Sequence, residues 1–119
     1  MLRKERDIYI RIDKFVLQSL FIIKKVPQDI INREILKQAI RSITSIGANA
    51  REGQASQTKK EFVRCFSIGK REAKESQYWL FLLFEINPDL RSELQKLIRE
   101  CDELVAILSA IISSSKKKS

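Results

Sequence analysis

Residues 58–83 contain the pattern that most constrains the fold. Apolar and small side chains recur there at steps of three or four, which places them on one face of a helix. They are Phe62, Phe66, Gly69, Ala73, Ser76, Leu80 and Leu83. Thr58 and Glu61 form a T-x-x-E capping box at the start of the stretch, in which each side chain satisfies a backbone group of the other residue. The pattern predicts a long central helix that a neighbouring helix can approach closely.

Three further segments show the helical period. The predicted helices are residues 7–25, 32–52, 59–86 and 88–112. Pro27 ends the first helix, and Gly53 is predicted to end the second in left-handed geometry. Asn32 and Asn87 are the predicted N-caps of the second and fourth helices. With only three glycines and two prolines, and no stretch of period two, the sequence predicts an all-α fold, an antiparallel up-down-up-down four-helix bundle.

The chain length of 119 residues suffices for one hydrophobic core, so we expect a single domain over residues 1–119. The charged residues before Asp7 are expected to fray. The tail at 113–119 has no apolar residue to bury and is expected to be disordered. Gly47 of the second helix and Gly69 of the third are expected to let these two backbones approach closely.

Several kinds of chemistry lack their usual residues. The chain has no histidine, which removes the commonest general base and neutral metal ligand, and bundles that hold two metals use Glu-x-x-His pairs. No nucleophile elbow, P-loop or dinucleotide fingerprint is present. Cys65 and Cys101 are too few for a disulfide framework or a zinc site. We expect no enzymatic activity, no cofactor or metal, and no small-molecule substrate.

The ends and apolar windows of the sequence bear on location. Charged residues interrupt the N-terminus before any apolar run develops, so no signal peptide is visible. The most apolar windows are shorter than the roughly 20 residues that span a bilayer. We therefore expect a cytoplasmic protein with no membrane partner.

Positive charge is the strongest functional feature of the composition. The net charge is +8, which favours acidic partners such as nucleic acid. Lys60, Arg64, Arg71 and Lys74 fall on one side of the third helix at steps of three, four or seven. Two interpretations remain open: a sequence-independent line of phosphate contacts, or the solvated face of an amphipathic helix.

The end of the third helix is apolar on nearly every side. Residues 78–84 read YWLFLLF, and such a run needs cover beyond one bundle core. A subunit interface through Tyr78, Trp79 and Phe81 is our preferred explanation. The alternative is that these residues dock a partner protein.

Two motifs carry a family resemblance. One is S-I-x-x-N-x-x-E, here Ser45, Ile46, Asn49 and Glu52, and the other is K-E-A-x-E-x-x-Y-W-L, in which Arg71 replaces the lysine. Between them lie the Thr58 cap and the acidic-Phe pair Glu61-Phe62. With these motifs the chain resembles the four-helix bundle proteins encoded in intervening sequences of bacterial 23S ribosomal RNA genes.

The resemblance implies an antiparallel four-helix bundle that assembles into a ring of five. It brings no catalytic assignment. A related branch, the accessory proteins of diversity-generating retroelements, is similarly basic and associates with nucleic acid and a reverse transcriptase. We hypothesise that the shared Asn49, Glu52, Glu72 and Glu75 form a structural polar cluster between the second and third helices or at a subunit contact.

Together these features predict a non-enzymatic homo-oligomer that acts as a scaffold for RNA. The alternative function is a protein-interaction adaptor that docks its partner through the aromatic end of the third helix.

Overall fold

Four α-helices make up most of the described chain. They are α1 (Arg3–Ile23), α2 (Ile30–Gln54), α3 (Lys59–Ile86) and α4 (Arg91–Lys117), and a 3-10 turn at Pro88–Leu90 precedes α4. The structure is a computed structural model that describes residues 3–117, with side chains described from residue 7 onward. Within residues 3–117 there is no β-strand, so the predicted all-α class is confirmed.

Helices that follow one another in the chain are neighbours in space, and α1 closes the bundle by packing against α4. The short connections at 24–29 and 55–58 return the chain alongside the helix it has just left, so neighbouring helices run antiparallel. The bundle measures 48 × 21 × 18 Å. This is the predicted up-down-up-down architecture.

Each helix turns one apolar stripe toward the bundle axis. On α4 the buried residues recur at steps of three and four, as the heptad pattern predicts. They are Leu94, Leu97, Cys101, Leu104, Leu108 and Ile111. The other helices contribute Ile12, Phe15, Ile43, Ile46, Leu80 and Leu83, all nearly inaccessible to water. Burying a side chain of this size contributes roughly 1.5 to 3 kcal/mol, so the aligned stripes hold the four helices together.

Helix caps agree with the sequence at α3 but not at α2. The Thr58 hydroxyl oxygen accepts a hydrogen bond from the Glu61 backbone N–H at 3.1 Å, which confirms the predicted cap. The prediction of Asn32 as the cap of α2 is wrong, because α2 begins at Ile30 and is capped by Asp29. The Asp29 carboxylate accepts from the Asn32 backbone N–H at 2.8 Å.

Asn32 and Asn87 form a buried amide pair. Asn87 does hold the N-cap position of the 3-10 turn that leads into α4, but its side chain makes no capping hydrogen bond. Each side-chain amide donates to the other carbonyl oxygen, at 3.0 and 2.9 Å. Asn87 also donates to the Leu83 carbonyl at 3.0 Å, and the 3-10 turn separates it from the start of α4. The pair ties the beginning of α2 to the end of α3.

Three helices are longer than predicted, and α2 (Ile30–Gln54) extends two residues beyond each predicted end. α1 begins at Arg3 rather than near Asp7, because the charged residues before Asp7 include good helix formers. α4 runs to Lys117, so the expected disorder from residue 113 is wrong as far as residue 117. Lys116 and Lys117 lie in the last turn, where positive charge suits the helix dipole. The remainder of the predicted tail, residues 118 and 119, lies outside the described residues.

Two of the three glycines, Gly47 and Gly53, have other roles than predicted. No glycine of the described chain has a positive φ, and α2 continues through Gly53 to Gln54. Gly53 is required for packing instead, because a Cβ there would lie 2.8 Å from two ring carbons of Phe66. Gly47 faces Val16 of α1 rather than α3. Gly69 does face α2, where a Cβ would lie 3.7 Å from Asn49 Cβ and 3.9 Å from the Ile46 carbonyl oxygen, which are ordinary van der Waals contacts.

Candidate nucleic-acid interface

The first half of α3 has a basic outer face. Lys60, Arg64, Arg71 and Lys74 are all exposed, and they stand on the side of α3 opposite its buried residues. From the first to the last of them the helix rises about 21 Å. The structure therefore brings the four predicted residues into one line of positive charge, which we call the basic line.

Elsewhere in the bundle, cations at the boundaries between helices are neutralised by acids on the neighbouring helix. Arg11 of α1 forms an ion pair with Glu100 of α4 at 2.7 Å. Arg51 of α2 pairs with Asp13 of α1 at 2.5 Å. Each of these arginines therefore has an acid partner on the neighbouring helix.

The basic line is not compensated in this way. Among the side chains that the structure describes, those of Lys60, Arg71 and Lys74 form no ion pair. Arg64 lies 3.9 Å from the Glu61 carboxylate, at the limit of an ion pair, with both side chains more than half exposed. An exposed pair of this kind contributes little free energy, so Arg64 also remains available to an anion.

Positive charge continues around one end of the bundle. A groove there is lined by Lys59, Lys60, Val63 and Lys116. The antiparallel packing of α3 and α4 explains this, because the last turn of α4 lies beside the first turn of α3. The backbone N–H groups at the start of α3 add to the positive potential. The basic line is therefore continuous with a groove that is lined by lysine side chains.

The predicted polar cluster is divided in the structure. Glu72 and Glu75 come together because Arg41 of α2 donates to both carboxylates, to Glu72 at 3.2 Å. Asn49 is not part of this group, since its amide donates to the Ser45 carbonyl at 2.9 Å within α2. Glu52 is exposed near the end of α2. No local pattern in the sequence identifies Arg41 as the centre of this group.

The aromatic residues at the end of α3 differ in exposure. Tyr78 and Phe81 are 55% and 50% exposed. Trp79 is half-buried, and its indole N–H donates to the Glu75 carboxylate at 2.9 Å. The Tyr78 and Trp79 ring centroids lie 5.2 Å apart with the planes tilted by 60°. The rings of Tyr78 and Phe81 are therefore accessible to a partner, while the half-buried ring of Trp79 packs against Tyr78.

A second accessible apolar surface lies on α1, and the sequence analysis missed it. Ile10, Leu17 and Phe21 are 64%, 55% and 62% exposed. Their steps of seven and four place them on one line, opposite the buried face of α1. We call these three residues the α1 outer line. The spacing of Ile10, Leu17 and Phe21 is a second helical stripe in the sequence of α1, but only the stripe that forms the core was used to predict the helix.

The ionisable groups inside the bundle are structural. Hydrogen bonding from Arg11 holds the pKa of Glu100 below its ordinary value of 4.5. Burial raises the pKa of the Cys101 thiol to about 12, so this thiol is protonated near neutral pH and a poor nucleophile. Among the residues described, no group of His, Cys, Asp or Glu side chains is arranged to hold a metal. None of the described helices combines the length and apolar character needed to cross a membrane.

Comparison with known proteins decides the family. The family model described as 23S rRNA-intervening sequence protein matches residues 4–110. The chain belongs to this family. The resemblance carried by the motifs between Ser45 and Leu80 is thereby confirmed. Among curated proteins, none matches the chain.

A solved relative shares the architecture of this 23S rRNA-intervening sequence protein. It is a crystal structure of a protein with unknown function from the S23 ribosomal protein family of Bacteroides thetaiotaomicron. The two chains are 28% identical and superimpose with a TM-score of 0.79, over 92% of this chain and 98% of the other. That relative is itself a protein of unknown function.

Proposed function

We propose that this protein is a non-enzymatic, homo-oligomeric scaffold that binds RNA in the cytoplasm through the basic line of α3. The observation that carries the proposal is the alignment of four exposed cations on one face of α3. Cations between helices, such as Arg11 and Arg51, are matched with acids. The four cations of the basic line are exposed on one face, and three of them form no ion pair among the described side chains.

An extended anion fits this arrangement better than a compact one. The cations are spread over about 21 Å, a distance that a single small anion cannot bridge but that a chain of phosphates can. Lysine and arginine contacts to phosphate depend on charge rather than on base identity. We therefore expect binding that is strongly sensitive to salt and only weakly dependent on sequence.

The experiment compares two charge-matched double variants. Arg71→Gln with Lys74→Gln removes two members of the basic line. Lys96→Gln with Arg99→Gln removes the same types of charge at the same spacing from the exposed side of α4. Both variants have the same net charge, so a difference between them reports position.

Fluorescence anisotropy with a labelled RNA gives the dissociation constant as a function of salt. Four phosphate contacts predict that the logarithm of the binding constant falls with the logarithm of salt concentration with a slope of about −3, and two contacts predict about −1.5. Between 50 and 200 mM salt, affinity should fall roughly 60-fold for the wild type and roughly 8-fold for the α3 variant. Equal losses in both variants, or no binding at low salt, would refute the proposal.

Self-association is the second part of the proposal, and the α1 outer line supports it. Three exposed apolar side chains in a row are unfavourable in water, and a second copy of the chain can cover them. This assignment differs from the predicted interface at Tyr78, Trp79 and Phe81. The α1 line is preferred because each of its members is at least 55% exposed, whereas Trp79 is half-buried and hydrogen-bonded.

Light scattering of the purified protein, with and without nuclease, tests the assembly. Leu17→Gln combined with Phe21→Gln should convert an oligomer to a monomer. Ile30→Gln combined with Ile86→Gln changes exposed apolar residues elsewhere and should leave the oligomer intact. A wild-type monomer after nuclease treatment at tens of micromolar protein would contradict self-association.

The adaptor function remains a second candidate, favoured by the exposure of Tyr78 and Phe81. A partner protein that stays bound through these two rings after nuclease digestion would support it. Loss of every partner on digestion would favour RNA as the primary ligand.

A further inference from the structure

The basic line of α3 is followed, one helical turn after Lys74, by the exposed aromatic ring of Tyr78. Tyr78 lies 18 residues after Lys60, which is five turns of an α-helix, so the two side chains project from the same face. Tyr78 follows Lys74 by one turn and is 55% exposed. The line of positive charge and the ring therefore form one continuous surface about 27 Å long.

The ring of Tyr78 is supported from behind by a chain of contacts. Trp79 packs against it at 5.2 Å between ring centroids. The indole N–H of Trp79 donates to Glu75 at 2.9 Å, and Arg41 of α2 donates to the same carboxylate. Tyr78 is thus held by α3 and α2 together, and a ligand that uses its open face loses little side-chain freedom on binding.

We propose that this surface binds single-stranded nucleic acid, with phosphates along the basic line and a base stacked on Tyr78. The inference rests on the proposed function and names the form of RNA that is bound. Proteins that bind single strands combine a positive track for the backbone with aromatic rings on which bases stack. The length of the surface corresponds to roughly four nucleotides, the lower end of the site sizes of single-strand binding folds.

A duplex fits the surface less well. In an A-form helix the faces of the bases are stacked on one another, and only phosphates, sugars and base edges reach a flat protein surface. The rings of Tyr78 and Phe81, both about half exposed, would then lie against charged and polar groups. In a single strand a base can turn out and cover a ring, which removes apolar surface from water.

Trp79 is an intrinsic fluorescent probe for the binding experiment. It is the only tryptophan in the chain, and it lies 5.2 Å from the ring that is proposed to stack. An unstructured 12-nucleotide RNA should therefore change the tryptophan emission in a saturable way. A 12-base-pair RNA duplex of the same sequence should change it much less and bind at least about tenfold more weakly at equal salt.

Two substitutions of Tyr78 distinguish the stacking of a base on the ring from the burial of apolar surface alone. Tyr78→Leu keeps an apolar side chain but removes the ring, and should weaken single-strand binding about 5- to 150-fold. Tyr78→Phe keeps the ring and should retain affinity within about twofold. Ile30→Ala removes exposed apolar area at the start of α2, away from the basic line, and serves as the control. Since Tyr78 is exposed, thermal unfolding should show that all three variants fold.

The outcomes distinguish this inference from the proposed function. If single-stranded and duplex RNA bind equally, with no change in Trp79 emission and no effect of Tyr78→Leu, the inference is wrong although the basic line still binds RNA. If Tyr78→Leu leaves RNA affinity unchanged but dissociates the oligomer or releases a partner protein, the ring is a protein contact and the inference is again wrong. If neither RNA binds at low salt, the proposed function itself fails.

A single-stranded DNA of the same sequence completes the set. Binding comparable to that of the RNA strand supports the inference, because stacking and phosphate contacts are common to both. Binding of neither strand overturns it.

Discussion

Gly53 should tolerate alanine far less well than Gly69, although both are helical glycines on buried faces. A Cβ on Gly53 would lie 2.8 Å from Cδ1 and Cε1 of Phe66 and 3.3 Å from Cβ of Cys65. Unstrained carbon contacts are about 3.5 to 4.0 Å. The Phe66 ring has little space to move, because it is 1% exposed and Phe62 stacks on it at 4.3 Å. Gly53→Ala therefore forces overpacking.

The size of the effect follows from two opposing contributions. Overpacking of a core costs about 1 to 3 kcal/mol. Replacing glycine by alanine inside a helix gains up to about 1 kcal/mol, and less here because Gly53 lies in the last turn of α2. We expect Gly53→Ala to lower the free energy of unfolding by about 1 to 2 kcal/mol. Near this chain length the melting temperature should fall by about 4 to 8 °C.

Gly69→Ala is the matched control. The nearest atoms to its added Cβ are Asn49 Cβ at 3.7 Å and the Ile46 carbonyl oxygen at 3.9 Å, which are ordinary contacts. Only the gain in helix propensity remains, so stability should rise by up to about 1 kcal/mol. Urea unfolding followed by circular dichroism measures both variants at one protein concentration. A Gly53→Ala protein as stable as the wild type would refute the packing argument.

Three further changes test the structure. Glu100→Gln should lower the free energy of unfolding at pH 7 by up to about 1 kcal/mol. Because Arg11 lowers the pKa of Glu100 in the folded state, the difference from the wild type should shrink as the pH falls below about 4.5. A difference in stability that does not depend on pH would contradict the Arg11–Glu100 pair. Cys101, with its pKa raised to about 12, should react with a thiol reagent only as fast as the protein unfolds, and rapid labelling of the native protein would contradict its burial. Asn87→Ala removes the donor to the buried Asn32 carbonyl oxygen, although the Asn32 amide N–H still donates to Asp29. The change should cost about 1 to 3 kcal/mol, measured by urea unfolding against Asp89→Ala, an exposed neighbour. Equal stability of the two variants would contradict the buried pair.

The fold was predictable because its information is local and periodic. The stripe from Phe62 to Leu83 and the Thr58 cap each involve residues within one helix, and the structure agrees with both. The α2 cap was wrongly assigned to Asn32, and Asn87 holds its predicted position without a capping hydrogen bond, for the opposite reason. These residues are 55 positions apart and satisfy each other's amides, a partnership that no local pattern reveals.

The candidate site was predictable only in part. A helical projection places Arg71 and Lys74 on one face of α3, but it does not show which cations meet an acid on another helix. Arg41 has the same local appearance as Arg71, yet it bridges Glu72 and Glu75 of α3. Pairing across helices depends on their relative position, which only the assembled bundle defines.

The absence of such pairing among the described members of the basic line has an energetic meaning. Lys60 and Arg64 lie four residues apart, and Arg71 and Lys74 lie three apart, so like charges face each other on successive turns. Each such pair destabilises a helix by roughly 0.2 to 0.5 kcal/mol. Replacing these cations should therefore leave stability unchanged or slightly raise it, in contrast to the paired arginines between helices. In the proposed function, this uncompensated charge serves to bind a polyanion along α3.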